Sequence, residues 1–315
     1  MDNTLLVSPS PHVHASSSSR KIMLDVIIAL CPALVASVVI FGFRALALTA
    51  LCVAVCVLAE WAFEKLCKRD VTVGDFSAVV TGMLLAFNLP STTPLWQAAF
   101  GSVVAIVVVK QLFGGIGKNF ANPAITARIV MLLSFSGTMS KFESVNDAVS
   151  GATPLSIMSS GGEMPSLLDM FLGRHGGSLG ETCALALLIG GVYLVARGVI
   201  TWHTPIVYLG TVALFALALG ENPLYHLLSG GLVLGAIFMA TDYSTTPQTP
   251  WGKVIFGVGC GLITVLIRVF GSYPEGVSFA ILLMNILTPY INKWTKPKPF
   301  GAIKAPKKAK EGKTV

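Results

Sequence analysis

A series of ten apolar segments runs along this chain and constrains its fold more than any other feature of the sequence. Their approximate bounds are 22–43, 45–66, 76–89, 95–112, 123–135, 183–199, 205–219, 225–240, 254–270 and 277–291. A helix that spans a bilayer needs ~20 apolar residues, and charged residues form only 12% of the chain, where a soluble domain has about 25%. This excludes a soluble globular enzyme, a disordered tail and a disulfide scaffold. It predicts an all-α polytopic membrane protein with about ten transmembrane helices.

Three of these segments are short for a full span and are bounded by residues that interrupt helices. The third contains Asn88 near its end and is followed by Pro90, the fifth starts at Pro123 after Asn122, and the eighth is followed by Asp242. Short or broken segments inside a helical bundle usually line a polar cavity. We therefore expect a polar cavity at these breaks.

The distribution of Lys and Arg predicts the orientation in the membrane. With the N-terminus in the cytoplasm, 17 of the 22 Lys and Arg residues fall on the cytoplasmic side, including Lys110 and eight lysines after Ile291. The outer side holds four, including Arg268, and Arg128 lies within a span. Because cytoplasmic loops carry the excess of positive charge, we expect both termini in the cytoplasm. The terminal lysine cluster then predicts a contact with the lipid bilayer and no nucleic-acid partner.

A tetrapeptide that occurs twice indicates an internal repeat. Ser-Thr-Thr-Pro stands at 91–94 and at 244–247, each copy after a short glycine-containing segment and before a tryptophan, Trp96 or Trp251. Five spans separate the copies, so the second has the opposite topology, as in inverted-repeat transporters. The sequence thus predicts two inverted five-helix repeats with short or broken helices. The expected organisation is a cytoplasmic tail 1–21, a first repeat 22–136, an external loop 137–182, a second repeat 183–292 and a basic cytoplasmic tail 293–315.

The six cysteines do not form a metal-binding pattern. No C-x-x-C occurs, and Cys52 and Cys56 lie one helical turn apart in an apolar stretch. Metal sites of thiolates need paired ligands at characteristic spacings. We expect small buried apolar residues and no metal centre.

The long external loop contains a candidate modification motif. Asp147, Ser150, Gly151, Ala152 and Thr153 fit D-x-x-[ST]-G-A-[ST], the acceptor pattern for covalent FMN. In that reaction a flavin transferase joins FMN, through its phosphate, to the last hydroxyl of the motif, and the two small residues let the backbone approach the transferase closely. An ordinary glycine-containing turn is the alternative interpretation, although residue frequencies give only ~10⁻³ chance matches in such a chain.

Four stretches together resemble one family of membrane redox subunits. Residues 114–124, 150–155, 238–243 and 273–280 are similar to the D subunits of Rnf complexes, the ion-translocating ferredoxin:NAD⁺ oxidoreductases of bacteria and archaea. The related B subunits of sodium-pumping NADH:quinone reductases share the pattern. The resemblance covers about residues 20 to 300.

The resemblance implies a function that the composition alone does not. It implies FMN covalently attached to Thr153, a non-covalent riboflavin, five partner subunits and a flavin transferase for maturation. It also implies an oxidoreductase subunit that carries electrons between ferredoxin and NAD⁺ while Na⁺ or H⁺ is moved. The protein would lie in a bacterial or archaeal cytoplasmic membrane, which is the inner membrane of cells that have two membranes. The Thr153 loop would lie on the outer side of this membrane.

Ionisable residues within the membrane are costly and are often functional. Asp25 is a candidate for the ion path. In the alternative interpretation, its side chain extends from the start of the first span to the cytoplasmic interface of the membrane. Two roles are open for Arg128: stabilisation of a reduced flavin or a phosphate, or a structural pair with an acidic residue. Asp242, with the hydroxyls beside it, is the strongest candidate for the ion path, and helix capping is its alternative role.

Further polar groups adjoin these positions. Lys118, Asn119 and Asn122 form a polar cluster at the start of a half-helix, where dipoles favour anionic groups. Contact with a flavin and capping of the loop are the two interpretations. Glu60 and Glu64 share a helix face, and we expect an interfacial cluster with nearby lysines there, with an ion path as the alternative.

A function from another class fits part of this pattern. Inverted repeats and broken helices are also typical of a solute channel or a secondary transporter. Neither would explain the flavin-acceptor motif. Uptake of solute by the isolated subunit without a redox donor would favour the transporter.

Overall fold

The computed structural model describes residues 18–142, 153–162, 164–181, 183–271 and 276–297, and the regular elements within those ranges are helices. They are α1 Ser19–Phe41, α2 Phe43–Leu66, a 3₁₀ turn Val73–Asp75, α3 Ser77–Phe87, α4 Leu95–Val103 continued by a π-helical stretch Val104–Gln111, α5 Pro123–Ser134, α6 Ser136–Met139, α7 Pro154–Ser160, α8 Leu167–Leu172, α9 Ala184–Ala196, α10 His203–Ala218, α11 Pro223–Leu228, α12 Leu232–Leu234 continued by a π-helical stretch Gly235–Met239, α13 Pro250–Phe270 and α14 Gly276–Thr295.

Three of these helices, α1, α2 and α13, are long and apolar enough to cross a membrane. Five shorter apolar helices accompany them: α3, α4 with its π-helical stretch, α5, α9 and α10. Large apolar side chains such as Val39 and Leu66 are 79% and 83% exposed, as expected of surfaces that face lipid tails and not water. The predicted all-helical, multi-pass fold is confirmed, whereas ten spans in two inverted repeats remain a prediction.

Close helix packing depends on glycine at several contacts. α10 packs against α13, α13 against α14, α1 against α9, and α2 against α3. A Cβ atom added at Gly82 of α3 would lie 2.7 Å from Cα of Val53 in α2. A Cβ at Gly261 of α13 would lie 2.6 Å from Cβ of Thr211 in α10. Small residues thus let these backbones approach, as in other membrane bundles.

The eighth predicted segment, 225–240, is broken within itself rather than only at its end. α11 stops at Leu228, and Gly230 and Gly231 follow with φ of +67° and +63°. A left-handed backbone cannot continue a right-handed helix, and glycine adopts it without steric cost. The chain then resumes as α12 and its π-helical stretch. The break frees the carbonyl groups at the end of α11 for other partners.

The end of the long loop docks onto the end of α3. The amide of Leu179 donates to the carbonyl of Leu89 at 3.0 Å, and the amide of Gly180 donates to the carbonyl of Phe87 at 2.8 Å. The hydroxyl of Ser37 in α1 donates to the carbonyl of Leu179. The loop segment therefore lies at the same end of the bundle as the Asn88–Pro90 break.

Candidate functional site

A cavity of about 450 Å³ opens at the end of the bundle where α1 begins. Its size falls within the range of small-molecule sites, which combine apolar walls with a few polar groups. Apolar side chains such as Val80, Leu84 and Phe238 form much of its wall. Its polar lining includes Ser77, Thr81, Lys110, Asn119, Asn122 and Asp242.

Asn122 caps a helix and also lines the cavity. Its Oδ1 accepts hydrogen bonds from the amides of Ala124 at 3.1 Å and Ile125 at 3.3 Å, which caps α5. Its Nδ2 donates to the carbonyl of Met239 at 3.5 Å, and the residue also lines the cavity. Capping is thus confirmed for Asn122, and its place in the cavity wall leaves it available to a ligand.

Asn119 and Lys118 occupy different positions although they are neighbours in sequence. Asn119 lines the cavity, and its buried Oδ1 has no hydrogen-bond partner within the described residues. Lys118 is exposed and lies beside Gly114. Of the predicted polar cluster, the fold therefore brings Asn119 and Asn122 to the cavity wall and leaves Lys118 at the surface.

Asp242 lies in the break after the second π-helical stretch, at the cavity wall. The hydroxyls of Ser244 and Thr245 each donate to its Oδ2 at 3.0 Å. Thr241, by contrast, donates its hydroxyl to the carbonyl of Ile237. The carboxylate thus combines a local cap with contact to the cavity.

Asn285 of α14 joins the two helix breaks across the bundle. With its side-chain amide oriented to satisfy both neighbours, it donates to the carbonyl of Thr245 at 3.1 Å and accepts from the amide of Asn122 at 3.1 Å. Thr288 also donates to the carbonyl of Thr245, at 2.9 Å. The break at Asn122 and the break at Asp242 therefore share one polar network.

Arg128 is buried in α5, away from the large cavity. Its Nη1 donates to Oδ1 of Asn88 at 2.7 Å. It lines a small second cavity together with Gly230 and Gly231. The fold therefore does not group Arg128 with Asn119 and Asn122.

Asp25 connects α1 to α9. Its Oδ1 accepts from the hydroxyl of Tyr193 at 2.9 Å and lies 3.3 Å from Nη2 of Arg197. The Arg197 side chain is more than half exposed, so the pair lies at the surface of the bundle. This contact gives Asp25 a structural partner, and its role in an ion path stays a prediction.

Glu60 belongs to a buried polar network and not to an interfacial cluster, so that expectation was wrong. Glu60 and Lys110 have side chains 0% and 2% exposed, and Nζ of Lys110 lies 2.5 Å from Oε1 of Glu60. Lys110 also donates to the hydroxyl of Ser77 at 2.6 Å, and Gln111 donates to the same Glu60 oxygen at 2.7 Å. Lys110 was counted on the cytoplasmic side, although its position inside the apolar run 95–112 was a signal of burial.

Thr153 is the described member of the flavin-acceptor motif, since Asp147, Ser150, Gly151 and Ala152 lie outside the described residues. It precedes α7 and is 8% exposed. Its Oγ1 accepts from the amide of Ser156 and donates to the hydroxyl of Ser156, each at 3.3 Å. Both distances are long for hydrogen bonds, so the hydroxyl is only weakly held.

Arg268 of α13 is a second buried cation, which the sequence analysis counted on the outer side of the membrane. Its Nη1 donates to the carbonyl of His226 at 2.6 Å and its Nη2 to the carbonyl of Ser229 at 2.7 Å. These are carbonyls freed by the break after α11. As with Lys110, the signal was its position inside an apolar run, here 254–270.

Comparisons with known proteins extend over nearly the whole chain. Residues 6–301 match the model of the NQR2, RnfD, RnfE family. The chain is 52% identical to the D subunit of the Na⁺-translocating ferredoxin:NAD⁺ oxidoreductase complex of Acetobacterium woodii, over 97% of this chain and 98% of that protein. It is 40% identical to the D subunit of the proton-translocating ferredoxin:NAD⁺ oxidoreductase complex of Clostridium ljungdahlii, over 95% and 97%. It is 39% identical to the D subunit of an ion-translocating oxidoreductase complex of Stutzerimonas stutzeri, over 90% and 93%.

Proposed function

The chain belongs to the NQR2, RnfD, RnfE family, and from this premise we propose that it is the D subunit of an ion-translocating ferredoxin:NAD⁺ oxidoreductase complex. The observation that carries the proposal is the 52% identity to a subunit so named over 97% of this chain. Within such a complex the chain would carry electrons through flavins while Na⁺ or H⁺ crosses the membrane. Its partners would be the other subunits of the complex.

Covalent FMN on Thr153 is the central part of this proposal. The Thr153 oxygen would form a phosphodiester bond with the phosphorus of the FMN group of FAD, AMP would leave, and the hydroxyl proton would pass to a base of the transferase. The weakly held Oγ1 of Thr153 supports this assignment. When bound, the flavin supplies one- and two-electron redox chemistry, and the protein supplies its position and electrostatics.

The burial of Thr153 limits when the transferase can act. Leu155, two residues further on, packs against Gly230 at the break after α11. The transferase therefore must reach Thr153 before Leu155 packs against Gly230, or while that contact is broken. With both termini in the cytoplasm, the loop end that docks on the Asn88–Pro90 break would lie outside.

The 450 Å³ cavity is our proposed site for the non-covalent riboflavin. Its apolar walls suit the ring, and Oδ1 of Asn119, which has no partner among the described groups, suits a ring N–H donor. The cation in the wall, Lys110, is neutralised by Glu60, which favours an uncharged flavin without phosphate over FMN. Contacts from Lys118 and Arg128 to a flavin stay predictions.

Asp242 is our proposed ion-path residue in this chain. Its carboxylate borders the same cavity. An ion bound at Asp242 would therefore interact strongly with any charge on a flavin in the cavity, because the effective dielectric constant of the protein interior is low. The hydroxyls of Ser244 and Thr245 already point at this carboxylate and supply further oxygen ligands of the type that hard cations prefer. Asp25 is not required by this proposal.

In-gel fluorescence of the denatured chain tests the covalent flavin directly. The full chain is produced together with a flavin transferase, and the wild-type band is expected to fluoresce. Thr153→Ala should abolish the fluorescence, because it removes the acceptor oxygen. Ser159→Ala, a matched loss of a hydroxyl on α7, should retain it. A dark wild-type band in the presence of active transferase would refute covalent attachment.

A solute channel or secondary transporter is the second candidate. The cavity and the helix breaks are compatible with it, but the motif ending at Thr153 would have no role. Proteoliposomes that hold the isolated chain separate the two functions. Solute uptake without any redox donor would support the transporter.

A further inference from the structure

A polar stripe on α14 faces the chain segment that follows Asp242. Its members are spaced by three, four and three positions, which places them on one face of the helix: Asn285, Thr288, Asn292 and Thr295. The hydroxyl of Thr288 donates to the carbonyl of Thr245 at 2.9 Å. Oδ1 of Asn292 accepts from the amide of Gln248 at 3.2 Å. The stripe therefore holds this segment against α14.

Asn285 is the member of the stripe that also reaches the start of α5. It is 1% exposed. With its amide oriented to satisfy both neighbours, it donates to the carbonyl of Thr245 and accepts from the amide of Asn122, each at 3.1 Å. A buried polar network whose members are satisfied is rigid. The Asn285 amide thus fixes two helix breaks relative to each other.

Asn122 holds the Asp242 break from its other side. Its Nδ2 donates to the carbonyl of Met239 at 3.5 Å, and Met239 ends the π-helical stretch three residues before Asp242. Thr245 follows Asp242 by three residues. The start of α5 therefore binds the chain directly before Asp242 and, through Asn285, the chain after it.

Thr245 connects this frame to the Asp242 carboxylate. Its carbonyl accepts from α14, and its hydroxyl donates to Oδ2 of Asp242 at 3.0 Å. A hydroxyl that donates its proton keeps two lone pairs, so this oxygen can still coordinate a cation that the carboxylate attracts. The backbone position of Thr245 therefore determines where the hydroxyl oxygen lies relative to the carboxylate.

We propose that Asn285 is a positioning residue for Na⁺ binding at Asp242, an inference that rests on the proposed ion-path role of Asp242. Asn285 acts through Thr245, because it fixes the backbone that carries the hydroxyl ligand. Partners that orient ligating groups contribute about 10–100-fold to ion affinity. The same amide joins the ion ligands to Asn122 in the cavity wall, so a shift of the start of α5 reaches the ligands directly.

A purely structural role for Asn285 predicts a different result. Polar side chains also connect helices in membrane bundles without any part in function. If that were its only role, substitution would lower stability or assembly and leave the Na⁺ concentration for half-maximal turnover unchanged. The split between this concentration and the maximal rate therefore separates the two roles.

The experiment measures ferredoxin-dependent NAD⁺ reduction by the complete complex while Na⁺ is varied at constant pH. Asn285→Leu should raise the Na⁺ concentration for half-maximal turnover about tenfold or more, with the maximal rate and the flavin content near those of the wild type. Thr245→Val, which removes the hydroxyl ligand itself, should shift this concentration in the same direction. Asn292→Leu, a matched loss of an amide on the same face of α14, should leave it unchanged, because Asn292 contacts Gln248, three residues beyond Thr245.

A double variant tests whether Asn285 acts through Thr245. Asn285→Leu combined with Thr245→Val should shift the Na⁺ concentration no further than the larger of the two single shifts, since residues that act through one contact are not additive. Asn285→Ser shortens the side chain without adding bulk, so it covers the case that leucine does not fit the bundle, and it should raise the concentration as well.

The outcomes separate this inference from the proposed function. Additive shifts, or an unchanged Na⁺ concentration in an assembled Asn285→Leu or Asn285→Ser complex, overturn the inference and leave the proposed function intact. A wild-type complex whose turnover does not depend on Na⁺ overturns it as well. An unaltered ion dependence in Asp242→Asn overturns the proposed ion path itself.

Discussion

Replacement of Lys110 by methionine measures the free energy held in the buried Glu60–Lys110 pair. Methionine keeps most of the apolar stem and removes the ammonium group. The substitution leaves Glu60 fully buried, with Gln111 still donating to its Oε1, and its Oε2 is unpaired within the described residues even in the native chain. Removal of one partner of a buried pair costs about 3–5 kcal/mol, because the remaining charge is uncompensated.

A double-mutant cycle isolates the interaction from the loss of each side chain. Glu60→Gln with Lys110→Met leaves neither charge of the pair, so we expect the double variant to lose less stability than Lys110→Met alone. The coupling energy should be about 2 kcal/mol, within the range of contacting residues in one network. Lys253→Met is the matched control, since Lys253 is partly exposed and its ammonium donates to the hydroxyl of Thr201; it should cost less than about 1 kcal/mol.

The assay is reversible unfolding in mixed micelles with increasing detergent denaturant, followed by tryptophan fluorescence. Each variant is compared at the same protein concentration and lipid content. A coupling energy below about 0.5 kcal/mol, the limit of additivity for independent sites, would refute the claim that the two buried charges stabilise each other. A Lys110→Met cost equal to that of Lys253→Met would refute it as well.

Substitutions at three other positions test the site and the packing. Asp242→Asn should weaken the ion dependence of turnover in the complex with flavin content unchanged, and an unaltered ion dependence would contradict its role. Asn119→Leu should reduce riboflavin retained on purification without a change in the fluorescence of the covalent band; undiminished riboflavin would exclude Asn119 as a contact. Gly82→Ala should lower the free energy of unfolding by about 1–3 kcal/mol through overpacking, because the new Cβ would lie 2.7 Å from the backbone of Val53. The same unfolding assay measures this loss. A loss near zero would contradict the close approach of the two helices.

Local features of the fold were well predicted from the sequence because their causes are local. The predicted fifth segment begins at residue 123, and α5 begins at Pro123 with Asn122 as its cap. A capping side chain and a fixed proline φ act within a few residues, so no tertiary contact is needed to predict them. The burial of Cys52 and Cys56 was likewise predicted and confirmed.

The partners of the buried charges could not be predicted from the same information. Lys110 lies 50 positions from Glu60, and Arg268 lies 42 positions from His226. Which charges meet depends on how helices pack, and packing depends on many small contacts such as those at Gly82 and Gly261. From the sequence, Lys110 was therefore counted on the cytoplasmic side and Arg268 on the outer side, although the fold buries both.

The sequence by itself determined that the chain is a helical membrane protein and where some of its helices begin, such as α5 at Pro123. It also contains, at 147–153, a match to the flavin-acceptor pattern. Apolar length, helix breakers and short patterns are all local properties of the sequence. Only the tertiary structure decided that Lys110 is neutralised, that Asp242 and Asn119 share one cavity, and that Asn285 joins the breaks at Asn122 and Asp242. The physical reason is that electrostatic energy depends on distance and burial, and both are set by contacts between residues far apart in the chain.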